Sequence, residues 1–341
     1  MAGYIILAIL IFGFLVFIHE GGHYLFARLF KVKIYEFALG MGPRLISRTS
    51  GKTGIVYSLR LLPFGGFVSM AGEDGECDDE NSLYKKPVWQ RIIITAAGAL
   101  VNIIAGMLVM SVIVLSSDKL ASTRVAEFTD NITAEQGLQT GDEIIKIGST
   151  RVYTGNDLTY EIMRQGNEPV DITLIRDGKK LTLEDVEFPK LSESGTTFGE
   201  RNFLVYEEPK SFSSLTKHTF ARSFSTIKMI YDSLFDLVRG RYGAEAVSGP
   251  VGVTQALGEA ASVSMSSLVY LAVVISVNLG VVNLLPIPAL DGGRLLFQFI
   301  ELIFRRPVPA KLESYIHFAG MAVLMMLLVL LTFKDVLSLI R

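Results

Sequence analysis

Residues 4–30 form an apolar run long enough to cross a bilayer, yet the run carries His19, Glu20 and His23. A span needs about 20 apolar residues, and in hydrocarbon it must be helical because no water is there to satisfy backbone groups. Ionisable side chains at that depth are costly and need partners. Helical residues four apart share one face, so His19 and His23 can reach one metal ion. Glu20 stands between them as a candidate general base for a water that such a metal activates. The competing reading is a set of buried polar residues that glue helices together.

Three further runs, 92–115, 268–304 and 315–339, are also apolar enough to span. The stretch 268–304 is too long for one simple helix and contains Pro286 and Pro288. A break at membrane depth is tolerated where it borders a cavity or is buried in protein. Half of the 341 residues are hydrophobic, and the mean hydropathy is +0.42. These values fit a polytopic membrane protein with a polar domain attached. A net charge of −2 argues against a nucleic-acid partner. Cys77 is the single cysteine, which excludes an intrachain disulfide and a cysteine-based zinc site. The N-terminus lacks the basic region and cleavage site of a signal peptide, so it reads as a retained span.

Lys and Arg orient the chain. Residues 1–17 have none, whereas Arg28, Lys31, Lys33, Lys85, Lys86 and Arg91 flank the other ends of the first two spans. Arg305, Arg306 and Lys311 separate the last two spans. The positive-inside rule places these groups in the cytoplasm, and the N-terminus and the large polar insertion outside.

The expected fold class is an α-helical polytopic membrane protein with about four transmembrane helices, a membrane-associated β-hairpin and an inserted β-rich domain. Residues 1–116 form the first part of the membrane domain. The hairpin reads from Ile55–Arg60 and Leu62–Val68, either as a plain cytoplasmic turn or as a β-edge able to pair with an extended peptide. Residues 117–189 form the insertion. Strands are expected at 125–128, 170–175 and 180–186, the last two joined across Asp177-Gly178, and a helix at 156–164. Its Gly137-Leu138-x-x-Gly141-Asp142-x-Ile144-x-x-Ile147 pattern resembles a bacterial PDZ domain. Residues 190–265 read as a linker and an amphipathic helix, lying on the membrane surface or packed on the insertion. Residues 266–341 complete the membrane domain.

Two histidines are too few for a catalytic zinc, which usually has three protein ligands and an open position. His218 falls outside the membrane in this topology, and His317 begins the last span. Asp291 is the better candidate, because an acid beside a Pro-broken span is costly unless paired or metal-bound. It could also cap a helix that restarts after the break, and both roles can hold at once because the carboxylate has two oxygens.

His19-Glu20-x-x-His23 together with Asn283-x-x-Pro286-x-Pro288-x-Leu290-Asp291-Gly292 resembles the site-2 protease family of intramembrane zinc metalloproteases. The closer likeness is to the bacterial RseP-type branch, which cleaves anti-sigma factors. Phe64-Gly65-Gly66-Phe67-Val68 is similar to that branch's membrane-reentrant hairpin, and Ser248-Gly249-Pro250-Val251-Gly252 to a further branch motif. The best-known members carry two tandem PDZ domains, and here there is room for one.

The resemblance implies Zn2+ held by His19, His23 and Asp291, with Glu20 as general base. It implies that Asn283, Gly65, Gly66 and Phe67 contact substrate. The implied substrates are single-pass transmembrane proteins whose ectodomains have already been trimmed. It implies a multi-pass protein of a bacterial inner membrane, with the active site at membrane depth toward the cytoplasm and the PDZ-like domain outside. Two other readings are an ion- or proton-coupled transporter that uses His19, His23 and Asp291 as a relay, and an inactive PDZ scaffold that binds no zinc.

Overall fold

The computed structural model describes all residues except 1, 74–77, 194–195, 242–246 and 341; Cys77 thus lies outside the described residues. The chain forms two compact units, Met1–Gly106 with Gly243–Arg341, and Met107–Tyr242.

In the first unit, α1 (Ala2–Leu29) runs unbroken through Gly21 and Gly22. β1 (Ile34–Thr49) and β2 (Val56–Met70) follow, then α2 (Val88–Ser116), whose first part belongs to this unit. Among the described residues, four helical segments are long and apolar enough to cross a membrane: Gly3–Leu29, Val88–Ser116, Met265–Leu284 and Lys311–Ser338. Their outer surfaces are apolar, with Leu10, Phe14, Ile104, Phe318 and Leu330 all exposed. Such surfaces need an apolar solvent or a partner.

The apolar stretch 268–304 is broken at its two prolines, as its length predicts. Its helix α7 (Met265–Leu284) stops at Leu285, whose extended backbone (ψ 144) precedes Pro286. A proline disfavours the helical conformation of the residue before it. The chain restarts as α8 (Asp291–Phe304).

The hairpin is larger than expected, because β1 had no clear sequence signal. Glu36 to Leu39 pair with Ser69 to Gly66 on one side and with Val56 to Leu59 on the other. Residues 44–49 pair with 56–60. Residues 66–70 therefore form an edge, and no further strand pairs with them among the described residues. Glu36 is buried within the sheet, where Arg60 Nη2 (2.8 Å), Arg44 and Ser58 all donate to its carboxylate.

The Ser248–Gly252 motif opens α6 (Pro250–Val263), with Pro250 in the first turn. Proline suits that position because its missing N–H would have no helical partner there. Asp335 of α9 (Ala310–Ile340) accepts the Gly252 N–H at 2.8 Å. Ala8, Leu257 and Leu268 join α1, α6 and α7 in one apolar cluster.

The second unit contains β3 (Leu120–Phe128), α3 (Ile132–Glu135), β4 (Glu143–Ile147), β5 (Thr150–Arg151), α4 (Gly155–Gln165), β6 (Val170–Arg176) and β7 (Lys179–Val186). After them come β8 (Lys190–Glu193), β9 (Thr196–Gly199), β10 (Phe203–Glu208) and α5 (Phe212–Val238). The main sheet has the order β10-β3-β4-β6-β7. Val125, Ile144, Leu158, Ile162, Ile172, Leu174 and Phe203 fill its core. Asp177 and Gly178 both have positive φ (49° and 75°), as a type I′ hairpin turn requires. Asp142 of the Gly-Asp pattern is buried and takes two 2.7 Å bonds from Arg176.

One boundary shifts. The stretch from 190, expected as a linker, contains three strands, and β10 pairs with β3 in the main sheet. No local pattern reveals this, because the pairing joins residues some eighty positions apart. The amphipathic helix α5 packs its polar side on α4. Ser225 bonds Asp157, Lys228 bonds Glu161, and Arg164 bonds Asp236. Phe220, Phe224, Tyr231 and Phe235 remain exposed on α5.

Candidate metal centre

His19, Glu20 and His23 lie on α1, and Asp291 is the first residue of α8. The Nε2 atoms of His19 and His23 are 3.3 Å apart. Asp291 Oδ2 lies 3.2 Å from the first and 3.3 Å from the second. A tetrahedral zinc with bonds of about 2.0–2.1 Å needs ligand atoms about 3.3–3.4 Å apart. The observed triangle therefore fits zinc in both size and donor type. Among the described residues this is the one group of three or more His, Cys, Asp or Glu side chains placed to hold a metal.

Asp291 is not a helix cap. Leu290 holds the cap position of α8, and no side chain makes a capping bond. The Asp291 carboxylate turns to the histidines instead.

The rings are held by α2. His23 Nδ1 donates to the Ile94 carbonyl at 2.8 Å, which leaves Nε2 with the lone pair that a metal needs. The Asn102 amide lies 3.4 Å from His19 Nδ1. Gly98 supplies the space for His23, because a Cβ there would stand 2.3 Å from Nε2. Gly22 lets α1 approach α2, since its own Cβ would stand 2.6 Å from the Ala97 carbonyl oxygen. Gly21, by contrast, has nothing within 4 Å of its own Cβ position.

A cavity of about 370 Å3 opens on the centre, with His19, Glu20, His23, Asp291, Gly66 and Phe67 in its wall. The edge strand 66–70 thus borders the candidate metal site. A Cβ on Gly66 would stand 3.0 Å from Glu20 Cγ. Gly65 is not in the wall; its positive φ (72°) serves the bend of β2. Asn283 sits half-buried in the last turn of α7, also outside that wall.

The other histidines have different partners. His218 pairs with Glu208 at 3.1 Å in the second unit. His317 Nδ1 accepts the Ala289 N–H at 2.9 Å and steadies the loop that leads to Asp291. Sequence reasoning missed Ile94, Gly98 and Asn102. Only Asn102 carried a usable signal, as an amide inside an apolar span.

The chain matches peptidase family M50 over residues 7–327. It is 36% identical over 335 residues to a provisionally named zinc metalloprotease of Clostridium perfringens, covering 98% of each chain. It is 30% identical over 415 residues to the regulator of sigma-W protease RasP of Bacillus subtilis, covering 97% of this chain and 98% of the relative. The zinc metalloprotease RasP of Bacillus licheniformis is 31% identical over 417 residues, with the same coverage.

Proposed function

We propose a substrate class and a division of labour for this chain, which belongs to peptidase family M50 and is a zinc-dependent metalloprotease. Its substrates are single-pass transmembrane proteins, cut within or beside the span after earlier trimming of the ectodomain. Anti-sigma factors are the leading candidates, because the Bacillus subtilis relative is named the regulator of sigma-W protease RasP. The protein sits in a bacterial inner membrane, with the PDZ-like domain outside and the centre toward the cytoplasmic side.

The observation that carries this reading is the His19–His23–Asp291 triangle, set between helices long enough to span. When bound there, zinc supplies a Lewis acid for the scissile carbonyl and the attacking water. Glu20 takes the proton from that water as its oxygen adds to the carbonyl carbon. Glu20 then delivers a proton to the amide nitrogen as the C–N bond breaks.

A substrate helix makes its backbone bonds internally and must unwind to present a peptide bond. The open edge at 66–70, with Gly66 and Phe67 at the cavity wall, offers the freed groups a strand to pair with. Gly65 shapes the approach, and Asn283 orients the substrate backbone. The PDZ-like domain acts as a gate that excludes bulky ectodomains.

The test is Glu20→Gln in purified protein with a model transmembrane substrate. Gln is nearly isosteric but cannot take the proton, so zinc content should stay at wild-type level while cleavage is lost. Cleavage near the wild-type rate would overturn the assignment of Glu20.

A further inference from the structure

Asn102 on α2 is completely buried, and its amide faces His19 across the span. Its Nδ2 lies 3.4 Å from His19 Nδ1, and its Oδ1 is buried with no hydrogen-bond partner. These two facts belong together. His19 Nε2 points into the metal triangle, so a neutral ring that ligates through Nε2 carries its hydrogen on Nδ1. That N–H needs an acceptor, and an NH2 group cannot be one.

The oxygen and nitrogen of a primary amide are told apart by their hydrogen-bond partners. Here the partners assign the oxygen to the histidine. A half-turn of the Asn102 amide gives the His19 N–H its acceptor and gives the orphaned oxygen its donor. The backbone of Asn102 is itself anchored, because Ser276 Oγ of α7 donates to its carbonyl at 3.0 Å.

We infer that Asn102 is a positioning residue for the metal centre: its Oδ1 accepts the His19 Nδ1 hydrogen and so fixes the tautomer and ring plane that aim Nε2 at the ion. His23 has the same arrangement with a backbone acceptor, the Ile94 carbonyl. Both ligand histidines are thereby oriented from α2, one by main chain and one by side chain. Outer partners of this kind set ring orientation and ligand basicity, and their loss typically weakens metal binding about 10–100-fold.

The inference rests on His19 being a zinc ligand, so His19→Ala is the control. Zinc affinity is measured by chelator competition on full-length protein in detergent, for wild type, His19→Ala, Asn102→Leu and Asn102→Asp. Asn102→Leu keeps the volume but removes the acceptor, and it should bind zinc about 10–100-fold more weakly. Asn102→Asp keeps an acceptor and removes the NH2 group, and it should recover most of that loss. A role as an NH2 donor predicts no such recovery, and a role in helix packing alone predicts little loss in Asn102→Leu.

Wild-type zinc affinity in Asn102→Leu, or equal weakness in both variants, would overturn the inference. If His19→Ala also bound zinc normally, the fault would lie in the metal site itself. A second measurement needs no variant at position 102. In zinc-loaded protein labelled with 15N-histidine, the His19 signal, assigned by its loss in His19→Ala, should show a protonated Nδ1. An unprotonated Nδ1 would overturn the inference whether or not the variants fold.

Discussion

Gly98→Ala separates helix stability from metal-site geometry, because it should move them in opposite directions. Alanine is favoured over glycine in a helix interior by about 1 kcal/mol, so α2 alone gains. The added Cβ, however, would lie 2.3 Å from His23 Nε2 and 2.8 Å from Cδ2 and Cε1. Ordinary contact begins near 3.4 Å, so the ring nitrogen must retreat by about 1 Å. His23 cannot swing freely, since Nδ1 is held to the Ile94 carbonyl at 2.8 Å. A sound metal site holds its ligand distances to about 0.2 Å, and a misplacement of about 1 Å can cost two orders of magnitude in rate.

Gly98→Ala should therefore stay helical and lose most of its bound zinc, with cleavage down about 100-fold or more. Gly21→Ala is the matched control, because nothing lies within 4 Å of its Cβ position. It should keep zinc and activity. The assays are metal analysis of purified protein, circular dichroism and cleavage of a transmembrane substrate. Full zinc occupancy with wild-type cleavage in Gly98→Ala would refute the reasoning from packing.

Three other outcomes follow from the same geometry. Asp291→Ala should lower zinc content sharply and abolish cleavage, as removal of one of three ligands requires; full zinc by metal analysis would send the search for the third ligand elsewhere. Replacing residues 117–208 by a flexible linker should lower the cleavage-rate ratio of trimmed to untrimmed substrate, because a gate discriminates by penalising the wrong partner; an unchanged ratio in a folded, zinc-loaded variant would exclude gating. Burial pushes the Glu208 carboxyl up, but its bond to His218 and the charge of Lys217 outweigh this and hold it below the usual range. A carboxylate lowered in the folded state stabilises fully above its unfolded pKa of about 4.3, and that contribution is lost as pH falls through the lower folded value. The stability advantage of wild type over Glu208→Gln, followed by thermal unfolding, should therefore be flat above about pH 5 and shrink in more acidic buffer; an advantage that grew on acidification would show the sign to be wrong.

Much of this was legible in the sequence, and the exceptions have physical causes. The α1 motif was readable because polar residues inside a span stand out and the helical period fixes their common face. Asp291 was readable for the same reason, beside a break marked by two prolines. The Asp177-Gly178 turn announced the pairing of β6 with β7, since few residues accept the positive φ at both positions. β1 gave no such signal, because residues 34–49 change pairing partner partway and carry Gly40, Gly42 and Pro43 among their apolar positions. β10 was hidden because its partner lies far away in sequence. Gly98 was one small residue among Ala96, Ala97 and Ala99, and only the position of the His23 ring distinguishes it.

The helix α8 shows why hydropathy alone carries the third apolar stretch past its proline break. Residues 291–304 average as apolar, yet the apolar and polar sides are reversed relative to a soluble helix. Asp291, Arg294, Gln298 and Glu301 fall on one face and turn inward. Arg294 pairs with Glu73 at 2.8 Å, Gln298 bonds Thr95 at 2.9 Å, and Glu301 pairs with Arg91. Leu296, Phe299, Leu302, Ile303 and Phe304 are its exposed large apolar side chains. In water such a helix would leave its apolar side without a solvent and would be expected to turn over. Its stability requires an apolar surrounding outside and paired polar groups inside, the arrangement expected of charged residues at membrane depth. The inward face runs directly from the candidate zinc ligand to a chain of ion pairs with α2 and the segment after β2. The third ligand is thus carried on a helix whose polar side is fixed at three further points, which suits a site that must hold ligand distances closely in a soft medium.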